Sequence, residues 1–238
     1  MLFPLQMLGG IDESWALIID RADEAGKELA ISLLVNKGGN RPVTLVGFSW
    51  GARVVQSCLK ELAEYQQKWE EYKLQQQEMK SKGKWNNNWN DVCKVGDIEF
   101  EREPASIVED AVMIGMPKYL QLSVWKACRE MVAGRLVNVY SREDKILLYM
   151  FRYKSILGSY KPVVGTCTVA VPGVENIDVT DLVTSHQEYS HLTGVILERV
   201  RHGQPVRVSS HAVDEVALLK EAEKLAKEAK ENEKPDAS

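Results

Sequence analysis

The chain has 238 residues, 45% of them hydrophobic and 27% charged, with a formal net charge of -4 from 30 basic and 34 acidic side chains. At roughly 100–200 residues per domain this is one sizeable domain or two small ones. The composition excludes wholesale disorder, a collagen-like fibre and a chain made mostly of membrane spans, and the mild acidity argues against nucleic acid as a partner.

Residues 1–8 are apolar but short, without the basic start and small-residue cleavage site of a signal peptide. No stretch approaches the roughly 18 consecutive apolar residues of a spanning helix. Cys58, Cys93, Cys128 and Cys167 lie far apart and form no CxxC pair, so they read as free thiols of a reducing compartment. As written, the chain is expected to be soluble, intracellular and cytoplasmic.

Residues 12–36 carry Trp15, Ile18, Ala22, Ala25, Leu29 and Leu33 at helical spacing, with charged residues between them. Residues 37–42, KGGNRP, end that helix. Residues 43–48, VTLVGF, form an apolar run of the kind buried in a parallel sheet. A helical pattern resumes directly after Ser49 with Val54, Val55, Cys58, Leu59 and Leu62.

Residues 64–104 differ in composition. The first half is rich in Gln, Glu and Lys and predicts a solvated extension of the preceding helix; residues 84–90, KWNNNWN, predict a loop. The segment reads as a polar insertion between core elements. The core pattern returns with strands over 110–115, 135–140 and 175–180, a helix over 121–133 and another from about His186 to Val200. Strands alternating with helices predict parallel βαβ units and an α/β fold. Residues 213–230 predict a C-terminal helix, and the last eight a disordered tail. The expected organisation is a domain over 1–208, interrupted by 64–104, then a helix and tail over 209–238.

The sharpest motif is Gly47-Phe48-Ser49-Trp50-Gly51, a G-x-S-x-G sequence between a predicted strand and a predicted helix. That context is the nucleophile elbow of α/β-hydrolases, in which a tight turn thrusts a serine hydroxyl out of the sheet. Small residues two before and two after let strand and helix pass, and the helix N-terminus aims N–H groups at a developing oxyanion. Trp50 would supply one such N–H. In this fold the chain order is Ser, acid, His. Asp144, in the polar turn after the third strand, is the expected acid, with Glu143 the fallback. Of His186, His191, His202 and His211, His186 follows the last strand by a short linker and is favoured as base over His191.

These pieces resemble the transmembrane and coiled-coil domain-containing protein 4 family. The resemblance runs through residues 14–15 (SW) with 21–27 (RADEAGK), 41–54 (RPVTLVGFSWGARV), 108–117 (VEDAVMIGMP), 134–142 (GRLVNVYSR) with Asp144, and 174–180 (VENIDVT) with His186 and Tyr189. It implies an α/β-hydrolase-like domain with the triad Ser49, Asp144 and His186, an ester or lipid-ester substrate, membrane association, and no metal or organic cofactor. The sequence departs from the family pattern at Trp50, Met116 and Ser185; Trp50 would set a bulky ring beside the nucleophile.

Residues 1–42 offer one helix and no strand ahead of the elbow. The sequence therefore predicts the C-terminal half of such a sheet, in a truncated gene product or one that has lost the other half. On that reading one oxyanion loop is missing, and the chain alone is poorly soluble and weakly active. The competing expectation is a non-catalytic scaffold or membrane-trafficking protein that binds a protein partner through 64–104 or the C-terminal helix.

Overall fold

The computed structural model describes residues 5–35, 41–82, 92–149 and 162–202, with side chains from Trp15 onward in the first stretch. The expected loop at 84–90 and the C-terminal helix and tail lie outside the described residues.

The fold is α/β. Helix α1 (Leu5–Val35) leads to strand β1 (Val43–Phe48) and the long helix α2 (Trp50–Ser81). Strands β2 (Cys93–Val95) and β3 (Ile98–Phe100) follow, then β4 (Val108–Ile114), α3 (Leu122–Glu130), β5 (Leu136–Tyr140), β6 (Val174–Asp178) and α4 (Glu188–His202). Four strands form a parallel sheet in the order β1-β4-β5-β6. All four C-terminal ends therefore point the same way, and the turns that leave them share one rim. This is the C-terminal part of an α/β-hydrolase-like sheet.

Because side chains alternate across a strand, each strand divides between two cores. Ala111 and Met113 of β4 and Leu136 of β5 face α2 and α3, where they meet Ala52, Val55, Leu59, Leu62, Trp125 and Cys128. Val112, Ile114, Val137 and Val139 face the other way, onto Tyr189, Ile196 and Val200 of α4. All five residues of β5 are buried, as its central place requires.

Helix α1 lies across α2. Gly26 makes this crossing possible: a Cβ there would come within 2.4 Å of Ser57 Cβ and 2.6 Å of the Val54 carbonyl oxygen. The contact is polar as well as close. Arg53 donates from Nε and Nη2 to the two carboxylate oxygens of Asp23 at 2.8 and 2.6 Å, and Ser57 Oγ donates to the Asp23 carbonyl at 2.7 Å.

Two expectations change. The polar stretch after residue 64 is not merely a solvated extension. Tyr65 and Trp69 of α2 are buried, and their rings stand 5.7 and 5.8 Å from Phe100 on the β2–β3 hairpin. The hairpin turns on Gly96-Asp97, with Gly96 at φ 59°. Glycine at the first loop position is the signature of a two-residue hairpin turn, but strands of three residues are too short for alternation to reveal.

The second change concerns β1. Its apolar composition suggests a strand covered on both faces. Among the described residues it is the edge of the sheet, in line with the lack of a predicted strand ahead of it, but only one face is covered: Val43 and Leu45 pack inward, while Thr44 is exposed and Val46 is 50% exposed. An exposed apolar edge promotes intermolecular pairing, and lysine on an edge opposes it. Val46→Lys is expected to reduce concentration-dependent association of the 238-residue chain, measured by sedimentation velocity. Unchanged association would place the sticky surface elsewhere.

Candidate active site

Ser49 ends β1 and begins α2. Its backbone sits at φ 52° and ψ -119°, the one positive φ outside glycine among the described residues. Such a conformation costs about 1–3 kcal/mol and persists only where the surroundings enforce it. The enforcement is visible. The Ser49 N–H donates to the Ile114 carbonyl at 2.8 Å, continuing the β1–β4 ladder. Its carbonyl already accepts from the Ala52 and Arg53 N–H groups at 3.0 and 3.3 Å, opening the helix. One residue belongs to both elements, so its side chain projects from the rim.

Two other turns converge on it. Asp144 lies in the turn after β5, fully buried. His186 lies in the loop between β6 and α4. His186 Nε2 is 2.7 Å from Ser49 Oγ, and His186 Nδ1 is 2.6 Å from Asp144 Oδ2. A carboxylate only accepts, so Nδ1 carries the imidazole proton and Nε2 is free to accept the serine O–H. The second carboxylate oxygen, Oδ1, accepts the Leu147 N–H at 3.0 Å. Of the sequence candidates, the structure brings Ser49, Asp144 and His186 together. Glu143 is exposed in the same turn, and His191 is exposed on α4. His202 closes α4, and His211 lies outside the described residues.

Trp50 occupies the first position of α2, where the backbone N–H has no intrahelical acceptor. Its ring packs edge-on against Trp15 of α1, centroids 4.7 Å apart. Trp15 also packs on Leu147 and Val163. Through Trp15 the bulky ring at position 50 is linked to an apolar cluster that includes Leu147, just after the acid turn.

Two aromatic side chains to which the sequence assigns no role seat the imidazole. Phe48 and Tyr189 flank His186 with ring centroids at 5.3 and 5.6 Å. Gly115, at φ 57°, makes room for Tyr189: a Cβ there would fall 2.9 Å from the phenol ring. Burial, with the nearby Asp144 charge, pushes the Tyr189 phenol well above its usual range and keeps it neutral. The Ile-Gly step that ends β4 is the one sequence signal for this packing.

Other reactive groups are silenced. Burial pushes the thiols of Cys58 and Cys128 up to about 12, so neither is a thiolate at neutral pH. Among the described residues no group of His, Cys, Asp and Glu is arranged to hold a metal ion, and no helix is long and apolar enough to cross a membrane.

The family described as "Protein of unknown function (DUF726)" matches residues 3–71 and 98–203, which takes in β1, the strands β3 to β6, α3, α4 and the three converging turns. The chain belongs to the DUF726 family. The unmatched residues 72–97 fall inside the 64–104 segment. Among its relatives, the transmembrane and coiled-coil domain-containing protein STS1 of Oryza sativa subsp. japonica is 38% identical over 190 residues, covering 80% of this chain and 23% of that protein. The probable lipase MIL1 of Saccharomyces cerevisiae is 33% identical over 198 residues, 82% of this chain and 15% of that protein. An uncharacterized membrane protein of Schizosaccharomyces pombe is 34% identical over 191 residues, 80% and 20% respectively. The chain therefore spans less than a quarter of the length of these relatives. No solved structure matches it.

Proposed function

We propose that this DUF726 domain is a serine hydrolase acting on an ester, with Ser49 as nucleophile, His186 as base and Asp144 orienting His186. The observation that carries the reading is Ser49 itself: a strained serine at a strand–helix junction, within hydrogen-bond reach of a histidine that rests on a buried carboxylate. Ser49 Oγ attacks the ester carbonyl carbon while its proton passes to His186 Nε2. The oxyanion forms beside the α2 N-terminus, where the Trp50 N–H is one donor. The intermediate collapses, the C–O bond to the alcohol breaks, and the alcohol leaves with the proton from Nε2. Water, deprotonated by the same nitrogen, then cleaves the acyl-serine.

A lipid ester is the preferred substrate class. The apolar cluster of Trp15, Trp50, Leu147 and Val163 beside the elbow supports it, as does the lipase name of the yeast relative. The membrane names of other relatives support a membrane-associated setting. Within DUF726 we favour the transmembrane and coiled-coil domain-containing protein 4 branch, on the motifs quoted above, and residues 1–208 as the hydrolase-like unit.

The test is reaction with a fluorophosphonate probe followed by peptide mapping. Covalent label on Ser49, absent from a folded Ser49→Ala variant, is the expected result; a folded chain that takes no label refutes the reading. One observation favours a second reading, a non-catalytic scaffold that binds a partner through 64–104 or the C-terminal segment. Among the described residues β1 is an edge strand, so no strand beyond it contributes a second oxyanion N–H. Loss of one such donor costs about 10²–10³ in rate.

A further inference from the structure

Ser141 is fully buried, polar and unused by the mechanism above. It follows β5 directly, and its N–H donates to the Gly165 carbonyl at 3.1 Å. Its hydroxyl faces two ways. It accepts the Glu143 N–H at 3.2 Å, inside the turn that carries Asp144. It donates its proton to the Val183 carbonyl, inside the loop that carries His186. A second stitch runs alongside: the Arg142 N–H donates to Thr180 Oγ1 at 3.0 Å.

These bonds matter because the sheet stops short of the site. The β5–β6 register ends at Tyr140 and Asp178, and the last ladder-like bond is from the Val179 N–H to the Tyr140 carbonyl at 3.0 Å. Beyond it, among the described residues, the bonds between the two turns run through side chains. On the far side of His186, Glu188 accepts the Thr184 and Ser185 N–H groups at 2.7 and 3.0 Å and caps α4. Those bonds hold the Glu188 carboxyl below its usual range. His186 is therefore strung between the tie at Val183 and the capped helix.

We propose that Ser141 is a positioning residue: its hydroxyl ties the base loop to the acid turn and so holds His186 on Asp144 and within reach of Ser49. The catalytic consequence rests on the serine-hydrolase reading; the tie itself does not. Without the hydroxyl, the Val183 carbonyl and the Glu143 N–H lose a partner, and the loop must shift to satisfy them. A misplacement of about 1 Å is enough to slow a positioned reaction roughly 10²-fold.

The experiment compares wild type, Ser141→Ala, Ser141→Cys and Ser57→Ala in the 238-residue chain. Ser57→Ala removes a hydroxyl bond of similar kind away from the site. Two readouts are taken: fluorophosphonate inactivation, resolved into a maximal rate and a half-saturating concentration, and the low-field proton resonance of His186 Nδ1. Both Ser141 variants are expected to lower the maximal rate about 10²-fold with half-saturation unchanged, and to broaden or shift the resonance, while Ser57→Ala changes neither. Wild-type labelling and resonance in Ser141→Ala, or equal losses in Ser57→Ala, would overturn the proposal. If wild type takes no label, the nucleophile reading fails and the resonance decides alone: its loss in Ser141→Ala upholds the tie, and its persistence refutes it.

Discussion

Replacing His186 by alanine is expected to slow the reaction of Ser49 with a fluorophosphonate by about 10⁶-fold, and Asp144→Asn by about 10⁴-fold, the losses typical of a base and its orienting acid in serine hydrolases. The two differ for a physical reason. Without the imidazole nothing within reach takes the serine proton, and an unactivated hydroxyl is a poor nucleophile at neutral pH. Asparagine at 144 leaves the imidazole in place. Its amide can donate to Nδ1, which favours the tautomer whose proton sits on Nε2, facing Ser49. His191→Ala is expected to leave the rate unchanged, because that side chain is exposed on α4. Rates by stopped-flow or quenched labelling, with circular dichroism to verify folding, decide the matter. A fully reactive His186→Ala would remove this histidine from the mechanism.

The two glycines of the elbow are expected to behave oppositely. A Cβ on Gly47 would fall 2.4 Å from the Gly51 carbonyl oxygen and 2.6 Å from the Ala52 nitrogen. Both are backbone atoms of the first turn of α2. Neither element can retreat easily, since β1 is laddered to β4 and the Ser49 N–H is bonded to Ile114. Gly47→Ala is therefore expected to cost about 3 kcal/mol, the upper part of the overpacking range, and to lower Tm by roughly 6–12 °C for a chain of this size. At Gly51 a Cβ would meet nothing within 4 Å. Gly51→Ala is expected to be neutral or to stabilise by about 0.5 kcal/mol through helix propensity. Only the first glycine is needed for strand and helix to pass, which revises the expectation drawn from the motif. Thermal melts of both variants check it; a Gly47→Ala protein with wild-type Tm would mean that the junction relaxes.

The alternation of apolar runs and helical patterns already marks β1, β4, β5, β6, α2, α3 and α4, because strands of a parallel sheet must be apolar enough to lie between helices. It misses the β2–β3 hairpin, whose three-residue strands are below the length at which a period shows. It also treats α2 beyond residue 64 as solvated, although Tyr65 and Trp69 bury their rings against Phe100.

By itself the sequence determined the local geometry at Ser49. Small residues around a serine, between an apolar run and a helical one, specify a tight strand–helix turn from neighbouring residues alone. The order serine, acid, histidine narrowed the partners but left Glu143 beside Asp144 and His191 beside His186. Only the tertiary structure decided which of them meet. The His186 contacts join residues 137 and 42 positions apart, and such distances are set by strand order and by the turns that leave one rim. The same holds for Ser141, Phe48, Tyr189 and Gly115. The sequence places them in the elbow motif or in the segments of family resemblance but assigns them no role; the role follows only because parallel packing of β1, β4, β5 and β6 brings them together at one rim.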